Sequence, residues 1–184
     1  FTITGNHDYD MTTNDLDWVE STFECDNFYH LNKFGEYHYN NIIFGCSPLK
    51  DDQIFEMQKY SKSDLDLKSD VKSFQCYVDC DASNDVNSEC KCRKYVQLYH
   101  GMLSGSLLFN GSENESKYNK DQFGDYDLLL LGDIHKMQKM NSRTAYSGSL
   151  IQQNFGESIY DHGYLLWDLD SFESEFVEVQ NDHC

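Results

Sequence analysis

Basic side chains are scarce. Lysine and arginine together number 14 against 32 aspartates and glutamates, a net charge of −18 over 184 residues. A field of that sign repels nucleic acid at long range, which excludes a binder that works through a basic surface. If the chain acts on DNA, bound cations or a basic partner must supply the attraction. Long apolar runs are missing as well: no stretch of about 18 uncharged apolar residues occurs, the length a membrane-crossing helix needs. Nor does a charged leader with an apolar core open the chain. These two absences lead us to expect an intracellular protein with no membrane attachment.

Cysteine is not lacking, but its arrangement is uninformative. There are seven, an odd number, at positions 25, 46, 76, 80, 90, 92 and 184. Without a leader, the reducing interior is the expected compartment. Cys76, Cys80, Cys90 and Cys92 sit close enough in sequence to suggest a structural zinc. None of their spacings is the usual two-residue knuckle, so they are left out of the metal set. Hydrophobic residues at 39% and aromatics at 15% mark a globular composition long enough for one domain.

Helical and strand patterns alternate along the chain. Phe1-Thr2-Ile3-Thr4 alternates apolar and polar and reads as a strand from the first residue. An opening in mid-strand, with no initiator methionine, leads us to expect a fragment. Thr12-Thr13-Asn14 offers caps for a helix running to about residue 25. A hairpin is predicted from strands over 28–33 and 37–45 with its turn at Gly35-Glu36. Residues 50–93 are polar and poorly periodic and are expected to be an insertion, a helix followed by a loop. Strands are predicted at 95–100, 126–131, 144–146, 163–168 and 175–179, with 105–123 as an exposed connection. The run at 126–131, apolar but for Asp127, suits a strand buried on both faces. The expected fold class is therefore α/β.

Three of these strands end in a small residue beside a histidine: Gly5-Asn6-His7-Asp8, Tyr99-His100-Gly101 and Gly132-Asp133-Ile134-His135. Buried strands fix direction, and glycine allows turns sharp enough to converge side chains on one point. Imidazole and carboxylate are ligands for manganese, iron or zinc, and an asparagine carbonyl suits harder ions. Two such ions together can hold an attacking water and the phosphoryl oxygens of a phosphodiester. Each motif alone has an ordinary reading as a turn or a core histidine. The set of three, each following a strand, is what points to a site.

In this order the motifs resemble the last three of the calcineurin-like metallophosphoesterase superfamily: GNH[DE], a strand-end histidine-glycine, and G-H-x-H. The segments Leu131-Gly132-Asp133-Ile134-His135-Lys136-Met137-Gln138, Tyr146-Ser147-Gly148-Ser149-Leu150-Ile151-Gln152-Gln153-Asn154-Phe155-Gly156-Glu157 and His162-Gly163-Tyr164-Leu165-Leu166-Trp167-Asp168 resemble the SbcD-type DNA-repair nucleases, viral and phage members most of all. The resemblance implies a four-layer sandwich of mixed β-sheets flanked by helices, here only its C-terminal portion, with 50–93 inserted. It implies two divalent metal ions, manganese being the expected one, and hydrolysis of DNA. An SbcC-type coiled-coil ATPase is the implied partner, and a homodimer the implied assembly.

By the same resemblance Asn6 and His100 bind the second metal and His135 the first. His7 is the catalytic imidazole over the phosphate, with Asp8 its orienting neighbour. Asp133 stands where the family has histidine, a departure expected to keep the site while altering metal preference. His162 is read as structural. The superfamily's first two motifs, which supply the bridging aspartate, are not found, so the chain alone is expected to be inactive or nearly so. Two other functions remain open: a nucleotide phosphodiesterase or phosphatase, and a scaffold subunit that has lost catalysis.

Overall fold

A computed structural model describes residues 2, 3, 5, 30, 31, 33–48, 53–59 and 93–180. The principal element is a six-stranded mixed sheet of order β3-β4-β5-β6-β8-β7. Its centre is three parallel strands: β4 (Ile42–Ser47), β5 (Lys94–His100) and β6 (Leu128–Gly132). The short β8 (Thr144–Tyr146) continues the parallel pairing beyond β6. β3 (Gly35–Tyr39) and β7 (Gln138–Asn141) close the two edges antiparallel. Two small sheets accompany it. β1 (Thr2–Ile3) pairs parallel with β2 (His30–Leu31), and β9 (Gly163–Trp167) pairs antiparallel with β10 (Ser174–Glu178).

The leucine run of β6 shows why the centre is buried on both faces. Successive side chains of a strand point to opposite sides. Leu129 and Leu131 join Tyr99, Leu103, Phe123, Ile134 and Tyr146 in one cluster. Leu128 and Leu130 join Leu31, Phe44, Cys46 and Val96 in another, on the opposite side. The two-sided burial expected of 126–131 is what the strand adopts.

The expectation of an α/β sandwich flanked by helices is overturned. Among the described residues there is no α-helix, and the one helical element is a four-residue 3-10 turn, Lys120–Phe123. Parallel strands bury both faces and must be covered, usually by crossover helices. Among the described residues, irregular chain and a hairpin do the covering. On one face Leu103 and Phe123, both buried, bring the 101–127 connection onto Tyr99, whose ring meets Phe123 edge-on at 5.3 Å and Tyr118 at 6.2 Å. On the other, Ile3 of β1, Leu31 of β2, Trp167 of β9 and the following Leu169 and Phe172 pack against β4–β6. The described fold is a mixed β-sheet. The helix predicted near 12–25 and most of the predicted insertion, 60–92, lie outside the described residues.

Three further expectations are corrected. The hairpin forms between β3 and β4, turning at Asn40-Asn41 with Asn40 at φ +52, a conformation asparagine tolerates. Gly35 and Glu36 are the start of β3 rather than a turn, and β2 pairs with β1 instead. The connection 105–123 is not wholly exposed, since Ser106 and Phe123 are fully buried. Strand β7 was not anticipated. It forms because Ser142-Arg143 turns the chain back, so that Gln138 pairs with Tyr146.

Candidate metal-binding site at the ends of parallel strands

Parallel pairing aligns the carboxyl ends of β5 and β6, the edge at which open sheets usually hold ligands. The register places His100 opposite Gly132. A β-carbon added at Gly132 would fall 2.7 Å from His100 Nδ1, and one added at Gly5 would fall 2.7 Å from Cε1 and 3.0 Å from Nε2. The imidazole is thus clasped between two glycine backbones, one from each flanking motif, and neither position has space for a methyl group. Residues 5, 100 and 132, far apart in sequence, meet at one ring.

Asp133 follows immediately and turns at φ +89, beyond the usual left-handed well. Backbone held there is strained, and such strain gathers at functional sites. Its Oδ1 lies 3.8 Å from His100 Nε2, with the two side chains 18% and 20% exposed. Ligand atoms bond such metals at about 2.0–2.2 Å, so two donors on one ion stand at most about 4.3 Å apart. The pair fits that limit, and nitrogen with carboxylate oxygen is a donor set suited to manganese, iron or zinc.

His135 is held separately. Its Nδ1 lies 2.7 Å from Glu157 Oε1. Glu157 also receives the Asn154 amide on Oε1 at 2.6 Å and the Gln153 backbone N–H on Oε2 at 2.8 Å. Burial pushes this carboxyl upward, but the Gln153 N–H and His135 outweigh it and leave it below the ordinary carboxylate value. Ser149 N–H donates to the His135 carbonyl at 3.1 Å, so the Gly148-Ser149 turn lies against the strand-end motif. A cavity of about 520 Å³ opens beside His135 and Glu157, lined also by Phe109, Lys136, Tyr160 and Phe176.

Two supports underlie these groups. Tyr146 is fully buried; its hydroxyl donates to the Gly101 carbonyl at 2.9 Å and accepts the Leu103 N–H at 2.9 Å, pinning the chain directly after His100. Burial pushes its phenol up to about 12. His162 is buried, with Nε2–H donating to the Ser158 carbonyl at 2.6 Å and Nδ1 3.1 Å from Ser149 Oγ. Both ring nitrogens are engaged within the protein, as its structural reading requires.

Of the six residues singled out from sequence, Asn6, His7 and Asp8 lie outside the described residues, as do Cys76, Cys80, Cys90 and Cys92. The structure brings His100 and Asp133 together. Among the described residues no three His, Cys, Asp or Glu side chains gather as a metal group. Sequence reasoning assigned no role to Glu157 or Tyr146. The run Gln152-Gln153-Asn154 before an acidic residue was a usable signal for the first, being a supply of donors to fold onto a carboxylate. Among the described residues no helix is long and apolar enough to cross a membrane.

No family model matches the chain, and no solved structure does. The chain is 32% identical over 189 residues to an uncharacterized protein of Acanthamoeba polyphaga mimivirus, in an alignment that takes in 98% of this chain. It spans 12% of that protein's length.

Proposed function

We propose that this chain contributes part of a divalent-metal site for phosphodiester hydrolysis on DNA. The observation that carries the reading is the clasp at His100. Three motifs chosen from sequence for metal chemistry converge there, with Gly5 and Gly132 against the ring and Asp133 facing it. A core histidine needs neither two glycines nor a strained acidic neighbour. His100 and Asp133, with Asn6, are the residues that would hold one ion and His135 the other. Such ions, manganese by the family resemblance, would supply a nucleophilic water and neutralise phosphate charge. The chain's own work is to fix these donors on strand ends and, through His7 with Asp8, to place an imidazole for the leaving oxygen.

The acidic surface favours help from outside the chain. At −18, phosphate attraction has to come from the metals and from a basic partner, the role an SbcC-type ATPase would take, with a homodimer a further route to a larger DNA surface. The setting would be intracellular, and buried Cys46, a thiol donating to the Leu31 carbonyl, suits a reducing one. One observation favours a scaffold reading instead: His100 and Asp133 can pair with each other as imidazolium and carboxylate, without a metal.

Manganese-dependent degradation of linear duplex DNA, measured on the longest natural polypeptide containing this chain, separates the readings. Turnover abolished by His100→Ala and by His135→Ala supports the nuclease. Cleavage of small phosphodiesters with no action on DNA moves the reading to a nucleotide phosphodiesterase. No turnover and no bound manganese leaves the scaffold.

A further inference from the structure

His135 and Glu157 are separated by 22 positions yet meet at 2.7 Å, and the segment between them explains how. The chain leaves β8, turns at Gly148-Ser149 against the His135 carbonyl, and folds over residues 152–157 into a tight loop. Gln152 Nε2 donates to the Glu157 carbonyl at 3.1 Å, and the Glu157 N–H donates to the Asn154 carbonyl at 3.2 Å. The loop thereby turns the Glu157 carboxylate inward, where its side chain is 8% exposed while that of His135 is 38% exposed. Donors surround both carboxylate oxygens: Asn154 Nδ2 on Oε1 and Gln153 N on Oε2.

We propose that Glu157 is a positioning residue for His135, acting on the metal through that ring. A carboxylate ringed by donors can only accept, so the His135 nitrogen facing it carries the proton. A neutral imidazole protonated at Nδ1 has its lone pair on Nε2. The carboxylate thus selects the tautomer that leaves Nε2 to bind a metal and fixes the ring plane. The exposed loop closes on this one sheltered carboxylate, and the contact gives the Gln152–Glu157 segment a function of its own. The proposal rests on the metal reading of His135 given above.

The test takes the longest natural polypeptide containing this chain, labelled with nitrogen-15 at histidine, and its Glu157→Gln and His135→Ala variants. Glutamine keeps the side-chain length and an acceptor oxygen but removes the charge. Two quantities are read: the His135 tautomer from metal-free imidazole nitrogen shifts, and manganese affinity from the free-ion electron paramagnetic resonance signal. We expect Nδ1–H in the parent, manganese binding that His135→Ala weakens, and a loss of about 10–100-fold in Glu157→Gln. Nε2–H in the parent, or unchanged manganese affinity in Glu157→Gln while His135→Ala weakens binding, overturns the role of Glu157 alone. Nδ1–H with no manganese bound overturns the metal reading, and the positioning role falls with it. Near-ultraviolet circular dichroism of Glu157→Gln matching the parent assigns any loss to the ring and not to unfolding.

Discussion

Replacing Tyr146 by phenylalanine removes one oxygen from a fully buried site and tests the support beneath His100. The hydroxyl makes two hydrogen bonds, to Gly101 O and from Leu103 N, each 2.9 Å. Gly101 and Leu103 are themselves buried, so neither backbone group finds water once the oxygen is gone. A buried group left without its partner costs about 1–3 kcal/mol. Partial relaxation of the loop offsets some of that, so we expect a loss of about 2–4 kcal/mol in urea unfolding, with the denaturant slope unchanged. The phenol supplies an independent check. Its value rises from an ordinary 10.0 to about 12 because burial disfavours the anion. The neutral form is therefore favoured by folding, a contribution fully present below pH 10 and lost as pH climbs from 10 to 12. At about 1.4 kcal/mol per pH unit, that loss is about 3 kcal/mol, and Tyr146→Phe should lack it. The difference between parent and variant therefore narrows across the alkaline limb. A variant within about 0.5 kcal/mol of the parent at neutral pH, or a constant difference through pH 12, refutes the reasoning.

Further outcomes follow from the same contacts. Gly5→Ala puts a methyl 2.7 Å from His100 Cε1, so the ring must move; manganese affinity should fall at least tenfold, about 1.4 kcal/mol, while a chain that binds the ion as tightly as the parent removes the clasp from the argument. Asp133→Gly frees the strained φ of +89 but deletes the carboxylate. It should gain up to about 1 kcal/mol in thermal unfolding and yet bind metal more weakly, whereas Asp133→Ala should lose on both counts. Gly45→Ala would bring a methyl 2.3 Å from the buried Gln97 Oε1 and displace an amide that donates to Phe55 O and Phe123 O; unfolding should show a loss of about 2–4 kcal/mol, and a neutral outcome would contradict this packing.

The sequence announced the site's ingredients better than its setting. The leucines of β6 are uninterrupted because both faces are covered, and that run was legible as a buried strand. Glycine in the strand-end motifs was legible as a licence for sharp turns, whereas its close approach to the His100 ring from Gly5 and Gly132 was not. The helical layer was expected because helical and strand patterns alternate, but the predicted helix at 12–25 and most of the 50–93 stretch lie outside the described residues, and among the described ones the cover of the sheet has no helix. Leu103, Tyr118 and Phe123 show no helical period, yet they bury one face of β5 and β6 as a folded connection. The hairpin failed because Gly35 reads as a turn, whereas its φ of +137 begins a strand and Asn40 makes the bend. Glu157 carried a local signal in the donors that precede it, but its pairing with His135 did not, because that bond depends on a loop closed by side-chain amides, a tertiary event without a local period.

The arrangement ties the site to the register of the core. His100 faces Gly132 only because Val96 pairs with Leu128 and each later residue keeps step. A slip of one position would turn every side chain of β6 to the other face, exchanging the leucines between two clusters that differ in shape. It would also set Leu131 in place of Gly132 against an imidazole with no space for a β-carbon. The alternation that buries Leu129 and Leu131 with Tyr99 and Tyr146, and Leu128 and Leu130 with Phe44 and Val96, is therefore what holds the clasp in register. Packing sets the geometry here, and the glycines at positions 5 and 132 permit it. A histidine at a strand end becomes a candidate ligand when both conditions hold together, which is why the same residue, read alone, carries so little information.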